Sequence, residues 1–187
     1  MSMSGQPDDD RPLVERARAG DLPAFEALVL RHQDRLFGYL WRMTRNPAEA
    51  EELAQRAFIH AWRGLVGFRG AASFRTWLFR IAHNLCVNRL TRARPLEPLP
   101  DTLPAAAACE PEERHRRQTR SERINAALAA LPPDQRSALV LSVWEEMSHE
   151  EIARALGKTS SSVNALLYRG RLALRRELAS AREEGLL

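Results

Sequence analysis

A segment rich in proline and alanine divides the chain into two blocks, and each block carries apolar residues at helical spacing. The segment covers residues 95–119, and four of its prolines lie between Pro95 and Pro104. Proline has no backbone N–H and fixes φ, so it disfavours both a helix interior and a central strand. No apolar periodicity runs through this stretch, which predicts an extended linker between two separate domains.

The block before the linker predicts a helical bundle. Asn46-Pro47 followed by Glu49 indicates a helix start, because it combines a cap, a first-turn proline and an acid near the positive helix end. Apolar residues recur at helical spacing on both sides of this point, and Ser73 is expected to cap the last helix. No run in the chain alternates apolar and polar residues as a half-buried strand does.

The block after the linker predicts a second helical domain. Asp134 is expected to cap a helix that follows Pro132-Pro133. Ser148 and Glu151 have the spacing of a capping box that opens a short helix ending near Gly157. We therefore expect an all-α protein, with two small helical domains joined by a linker and a helix-turn-helix in the second. Its predicted parts are a disordered tail (1–12), a first domain (13–94), the linker (95–119) and a second domain (120–187).

Composition and cysteine usage narrow the possible function classes. Cys86 and Cys109 are far apart and share no metal-like spacing with histidine, so we expect unpaired thiols in a reducing compartment. The polar, acidic start of the chain lacks the apolar core of a signal peptide, and no apolar run is long enough to span a membrane. The expectation is a cytoplasmic protein with no membrane insertion, no metal site and no cofactor.

Charge is distributed unevenly along the first domain. Residues 46–55 contain three glutamates and no base, whereas residues 56–94 contain eight arginines and no acid. A region without acids in a chain that is 28% charged favours nucleic acid, because each neutralised phosphate releases counterions. Phe68 and Phe79 lie among these arginines, and we expect them to be exposed and to stack on unpaired bases. Phe74 and Trp77 share an apolar stripe and are expected in the core.

The second domain carries the pattern of a helix-turn-helix. Ala153, Gly157 and Val163 provide a small residue where two helices meet, a glycine at the turn and an apolar anchor in the second helix. Residues 158–176 contain five bases and no acid. A purely structural helical hairpin is the alternative interpretation.

Two segments resemble a known family. AEAEELAQRAFIHAW followed by FRGAASFRTWLFRIAHNLCVNRL resembles region two of extracytoplasmic-function (ECF) sigma factors. LAALPPDQRSALVLSVWEEMSHEEIARALGKTSSSVNALLYRGRLALRREL resembles their region four. The resemblance implies a transcription initiation factor that directs core RNA polymerase to promoters and is not an enzyme.

The resemblance also implies roles for individual residues. The helix that contains Glu49 to Gln55 would dock on the β′ clamp coiled coil of the polymerase. The second domain would bind the β flap, and the linker would lie in the RNA exit path. The implied polymerase contacts are Glu49, Glu51, Glu52 and Gln55. The implied contacts to the melted −10 element are Phe68, Arg69, Ser73, Arg75, Arg80, His83 and Asn84. The implied contacts to the −35 element are His149, Lys158, Ser161, Ser162, Asn164, Ala165, Tyr168, Arg169 and Arg171.

The chain departs from the family pattern at a few positions. Arg56 follows Gln55 where the family usually has an acid, which affects the expected polymerase contact. Asn164 stands where many members have a base, so the basic contacts are expected later, at Arg169 and Arg171. The −35 preference is therefore the least transferable part of the resemblance. Whether an anti-sigma factor is a further partner is left open by the sequence.

Three alternatives compete with this interpretation. An enzyme acting on nucleic acid has no support, because the five histidines form no metal-ligand pair at helical spacing and no glycine loop could cradle phosphate. A stand-alone helix-turn-helix regulator leaves the arginine-rich part of the first domain without a role. A sigma-like protein that docks on polymerase but no longer melts DNA is favoured only by Arg56.

Overall fold

The computed structural model describes residues 10–92 and 123–183, and every regular element in these ranges is helical. The first domain consists of α1 (Arg11–Arg18), α2 (Leu22–Thr44), α3 (Pro47–Gly64), a 3₁₀ turn (Leu65–Gly67) and α4 (Phe74–Arg92). The second consists of α5 (residues 123–129), α6 (Pro133–Val143), α7 (His149–Leu156) and α8 (Ser160–Glu183). The prediction of an all-α protein is confirmed. None of the described helices is long and apolar enough to cross a membrane.

The predicted boundaries of the tail and the linker agree only in part with the residues that the structure describes. Helix α1 begins at Arg11, slightly before the end predicted for the tail, and Asp10 is its N-terminal flanking residue. The predicted linker at 95–119 and Cys109 lie outside the described residues. Cys86 carries a free, buried thiol, and burial raises its pKa to about 12.

Side-chain caps start most of the described helices. The Asn46 amide oxygen accepts the Glu49 N–H at 3.1 Å, and the Ser73 hydroxyl accepts the Thr76 N–H at 3.2 Å. Ser148 and Glu151 form the complete capping box, with each side chain accepting the other's backbone N–H. Each cap satisfies backbone donors that the first helical turn leaves without an intrahelical acceptor.

The prediction that Asp134 caps α6 is wrong. Pro132 flanks the helix in an extended conformation and Pro133 is its first residue, so Asp134 lies inside the first turn. Its carboxylate instead accepts a bond from Lys158 Nζ at 2.9 Å, which ties α6 to the turn before α8.

The first domain buries one apolar face of each of its helices. Fully buried leucines come from α2, α3 and α4, and Phe74 is buried with them as predicted. The expectation that Phe79 is exposed is wrong. Phe79 has no exposed surface and packs edge-on against Tyr39, with ring centroids 5.3 Å apart. Its ring lies on the side of α4 that faces α2, because Tyr39 belongs to α2.

The two domains pack against each other. Helices α6 and α7 lie on α4, and α6 also contacts α2. The Arg136 guanidinium of α6 donates to the carbonyl of Met43 near the end of α2 and to that of Leu131 in its own domain. We call this packing of α6 and α7 on α4 the closed arrangement.

Candidate nucleic-acid interface

The acidic start of α3 is a largely exposed surface. Glu51, Glu52 and Gln55 are exposed, whereas Glu49 is half-buried and accepts a bond from Arg89 of α4 at 3.2 Å. Arg56 points back along the helix to Glu52, with 3.3 Å between Nη1 and Oε1. The charge that departs from the family pattern is therefore placed beside the acids, where it partly neutralises them.

The segment from Phe68 to Ser73 joins the 3₁₀ turn to α4 and is held at both ends. The Phe68 ring is half-buried against Trp77, with centroids 4.7 Å apart and planes tilted by 32°. Ser73 is engaged as the α4 cap. Arg69 is exposed and has no acidic partner among the described residues. One face of Phe68 is thus occupied, which leaves less of the ring for a base than the sequence predicts.

Helix α4 presents its predicted DNA contacts in two different environments. Arg80 and Asn84 are exposed. Arg75 and His83 instead lie beneath the second domain. Arg75 Nη2 is 3.0 Å from Glu145 Oε2 and also donates to the Glu145 carbonyl. In the closed arrangement, DNA can reach Arg80 and Asn84 but not His83.

His83 is the centre of a buried polar group between the domains. Its Nδ1 lies 3.1 Å from the Ser137 hydroxyl and 3.3 Å from the Tyr39 hydroxyl, and those two hydroxyls are 2.7 Å apart. Its Nε2 lies 3.6 Å from Asp134 Oδ1. Burial lowers the His83 pKa to about 4, with Asp134 opposing the shift and Lys158 adding to it. A neutral His83 is therefore part of the closed arrangement.

A second ionic contact crosses the same boundary. Burial raises the pKa of Glu145, and the hydrogen bond from Arg75 opposes that shift. Arg42 stacks over the Trp144 ring at 4.8 Å from its centroid. Tyr39, Ser137 and Glu145 belong to no local sequence motif, so the sequence alone gives no sign of their role at this boundary.

The second domain has the geometry of a helix-turn-helix. Gly157 adopts a left-handed conformation with φ of 63° and ends α7, and Ala153 and Val163 are buried where α7 and α8 meet. Helix α8 turns Val163, Leu166 and Leu167 inward. The opposite face of α8 is exposed and contains Ser161, Ser162, Asn164, Ala165, Tyr168, Arg169 and Arg171.

The two other predicted −35 contacts, His149 and Lys158, lie outside α8. His149 is exposed at the start of α7. Lys158 lies in the turn and is paired with Asp134, so part of its charge is used within the protein. Tyr168 is 71% exposed, which removes it from the core and leaves its ring available to a partner. Arg169 Nε donates to the Ala165 carbonyl of its own helix at 3.2 Å.

Two cavities flank the segment from Phe68 to Ser73. The larger, of about 770 Å³, lies between this segment and the helix-turn-helix, and its bases are Arg69, Arg80, Arg154 and Lys158. The smaller, of about 480 Å³, lies between the segment and α1. Phe68, Arg69 and Ala72 line both.

Comparison with known families accounts for both domains. Residues 28–95 match the model of Sigma-70 region 2, and residues 121–174 match that of Sigma-70, region 4. The chain belongs to the sigma-70 family. Within that family it is an ECF sigma factor, a transcription initiation factor and not an enzyme.

Similar proteins span nearly the whole sigma factor. The RNA polymerase sigma-H factor of Pseudomonas aeruginosa is 35% identical, over 91% of this chain and 94% of the relative. The ECF RNA polymerase sigma-E factor of Haemophilus influenzae is 33% identical, over 87% of this chain and 91% of the relative. The solved structure of CnrH in complex with the cytosolic domain of CnrY has a TM-score of 0.72 at 26% identity. It covers 91% of this chain and 97% of CnrH.

Proposed function

We propose that this sigma factor docks on core RNA polymerase through the acidic face of α3 and reads promoters with two separate surfaces. The melted −10 element would contact the Phe68–Ser73 segment and the exposed face of α4. The −35 duplex would contact the exposed face of α8. Since core RNA polymerase is the partner, we expect the protein to act in the cytoplasm. The observation that carries this proposal is the match to both sigma regions. The acidic face of α3 in the first region and the face of α8 with Arg169 and Arg171 in the second are both exposed.

The exposed face of α8 supports duplex binding in the major groove. Residues at the start of a recognition helix approach base edges, and an asparagine such as Asn164 can form two bonds with adenine. Arg169 and Arg171 lie further along the helix, where an arginine is suited to contact phosphates and carries little sequence information.

Asn84 and Phe68 support capture of an unpaired base. Asn84 is exposed and offers both a donor and an acceptor to a base edge. Removing a base from the stack costs a few kcal/mol, which a pocket must offset by stacking and hydrogen bonds. For Arg75 and His83 to join this surface, α6 and α7 must leave α4, because both residues lie beneath the second domain. The closed arrangement is thus a state that precedes full contact with the −10 element.

An anti-sigma factor is a further partner that we propose for the closed arrangement. The similar fold of CnrH was solved in complex with the cytosolic domain of CnrY. A stand-alone helix-turn-helix regulator is not favoured, because the first domain matches region 2 as fully as the second matches region 4.

The docking surface and the −35 surface are each tested by a single substitution. Glu52→Arg is expected to weaken binding to core polymerase, whereas Glu26→Arg, the same change at an exposed glutamate of α2, is not. Arg171→Ala is expected to weaken binding of the holoenzyme to all −35 duplexes and to reduce the salt slope by about one unit. Parent-like behaviour of Glu52→Arg in a titration would reject the docking surface. A parent-like salt slope for Arg171→Ala would remove α8 from the DNA interface.

A further inference from the structure

We propose that the protein free of polymerase, in its closed arrangement, binds duplex DNA with both domains at once, through α8 of the second domain and Arg80 of the first. This inference rests on the proposed function, which places duplex DNA on α8, and it adds a second DNA-bound state. In that state Arg80 contacts the backbone of a paired duplex instead of the melted −10 strand. Neither the sequence motifs nor the family resemblance predicts a duplex surface shared by the two domains.

The boundary between α4 and α7 carries bases from both domains. Helix α7 packs on α4, and the larger cavity opens beside them, with Arg80 on its first-domain wall and Arg154 and Lys158 on its second-domain wall. The Arg80 and Arg154 guanidiniums form no ion pair within the described ranges, whereas Lys158 pairs with Asp134. One acid, Glu150, lines the same cavity. The boundary therefore keeps a net positive charge, which favours an anionic partner.

The start of α8 connects this basic boundary to the surface proposed to read DNA. Ser160 lines the cavity and is the first residue of α8. Asn164 lies one turn further along the same side of the helix, because residues four apart are neighbours on a helix surface. The duplex-binding face of α8 thus begins at the rim of the cavity. The cavity, of about 770 Å³, is too small to hold a turn of duplex, so a duplex on α8 lies across its opening.

The geometry of a helix-turn-helix brings the DNA backbone to α7. In such motifs the second helix lies in the major groove and the first helix crosses the backbone. Arg154 belongs to the first of these two helices, so the phosphates beside α8 pass close to it. Arg80 lines the same cavity from the first domain, and in the closed arrangement it reaches the same backbone. When the domains separate, Arg80 moves away with α4 and this contact is lost.

The closed arrangement leaves the bound duplex paired. Arg75 and His83 lie beneath the second domain, so the −10 surface is incomplete in this state. The contact from Arg80 to phosphate carries little sequence information, so it raises the affinity for any duplex. In the holoenzyme, where the proposed function places the two domains on separate promoter elements, Arg80 contacts the melted strand. The same arginine thus serves paired DNA before polymerase binds and unpaired DNA afterwards.

The salt dependence of duplex binding tests the shared surface. A duplex with the selected −35 sequence and no −10 element is titrated by fluorescence anisotropy at several salt concentrations, once with the free protein and once with the holoenzyme. In the free protein, Arg80→Ala should reduce the slope of log affinity against log salt by about one unit, as expected for one phosphate contact. In the holoenzyme it should leave the slope unchanged. Arg154→Ala should reduce the slope in both, because Arg154 belongs to the same domain as α8.

Arg63→Ala is the matched control. It removes an exposed arginine of the first domain that does not line the cavity, and both slopes should stay at the parent's values. A parent-like slope for Arg80→Ala in the free protein, or no binding of the free protein to the duplex, would overturn the proposal. An equal loss of slope for Arg80→Ala in the holoenzyme would also overturn it, because the contact would then not require the closed arrangement.

Two further measurements separate this proposal from its alternatives. If Arg80→Ala weakened binding of the free protein to a single strand of the same sequence more than to the duplex, Arg80 would belong to the −10 surface alone and the shared duplex surface would be rejected. If the parent holoenzyme bound the −35 duplex no better than a scrambled duplex, the proposed function itself would fail.

Discussion

Replacing Glu145 with glutamine should release the second domain from α4. Glu145 is 4% exposed, and its carboxylate lies 3.0 Å from Arg75 Nη2, on the other side of the boundary between the domains. The substitution keeps the size and shape of the side chain but leaves the Arg75 guanidinium without its counter-charge. Because Arg35 and Arg42 also act on Glu145 electrostatically, the loss leaves several cations facing a neutral site.

The size of the effect follows from the geometry of the pair. Removing one partner of a buried ion pair costs about 3–5 kcal/mol. Arg75 is 23% exposed and keeps its bond to the backbone carbonyl of residue 145, so part of this cost is avoided. We expect a loss of about 2 kcal/mol, which shifts the equilibrium between closed and separated domains by about 30-fold.

Single-molecule energy transfer in the free protein measures this equilibrium. Dyes attached at His60 on α3 and Ser161 on α8 occupy exposed positions on different domains. Glu145→Gln should increase the population with separated dyes and raise the affinity of the free protein for a single-stranded −10 oligonucleotide. Glu146→Gln, an exposed neighbour, is the control. If Glu145→Gln, like Glu146→Gln, showed the same distribution of dye separations as the parent, the Arg75–Glu145 pair would not hold the domains together.

Three further predictions concern pH, packing and capping. The His83 pKa is about 4 in the closed arrangement and 6.5 ordinarily, so the separated state takes up a proton first and the closed arrangement loses stability as the pH falls from about 6.5 to about 4. At pH 5 the closed arrangement should have lost about 2 kcal/mol of stability, which increases the population with separated dyes. His83→Gln should not show this increase. Gly170→Val should destabilise the second domain by about 2 kcal/mol in thermal unfolding, because a Cβ added there would lie 3.0 Å from Leu139 Cδ1. An unchanged melting temperature would contradict this packing. Asn46→Ala should cost about 1 kcal/mol in denaturant unfolding and Asn46→Ser much less, whereas equal losses would show that the cap itself contributes nothing.

The features that the sequence predicted correctly depend on residues close together in the chain. Asn46, Ser73 and the Ser148–Glu151 box cap their helices through bonds that span three residues. Such patterns are complete within one helical turn, so they can be recognised without knowing the rest of the fold. The division into two helical domains follows in the same way, from apolar spacing interrupted by prolines.

The errors come from contacts between distant parts of the chain. Phe79 lies among arginines in the sequence, yet its ring is buried because Tyr39 of α2 packs against it. Asp134 has the residue type of a cap, but Pro132 already flanks the helix and the Asp134 carboxylate pairs with Lys158. His83 contacts Ser137, which lies 54 positions away in the chain, and no local sequence pattern predicts this contact.

The position of Arg75 complicates any mutational scan that is scored by transcript level. If Arg75 binds the −10 strand, replacing it with alanine removes a DNA contact, and the same change also frees the domains by deleting the partner of Glu145. A larger fraction of competent molecules raises the apparent affinity, whereas the lost contact lowers it. The two effects have opposite signs, so a nearly normal transcript level would not show that Arg75 is unimportant. Only a double-mutant cycle with Glu145 would separate them.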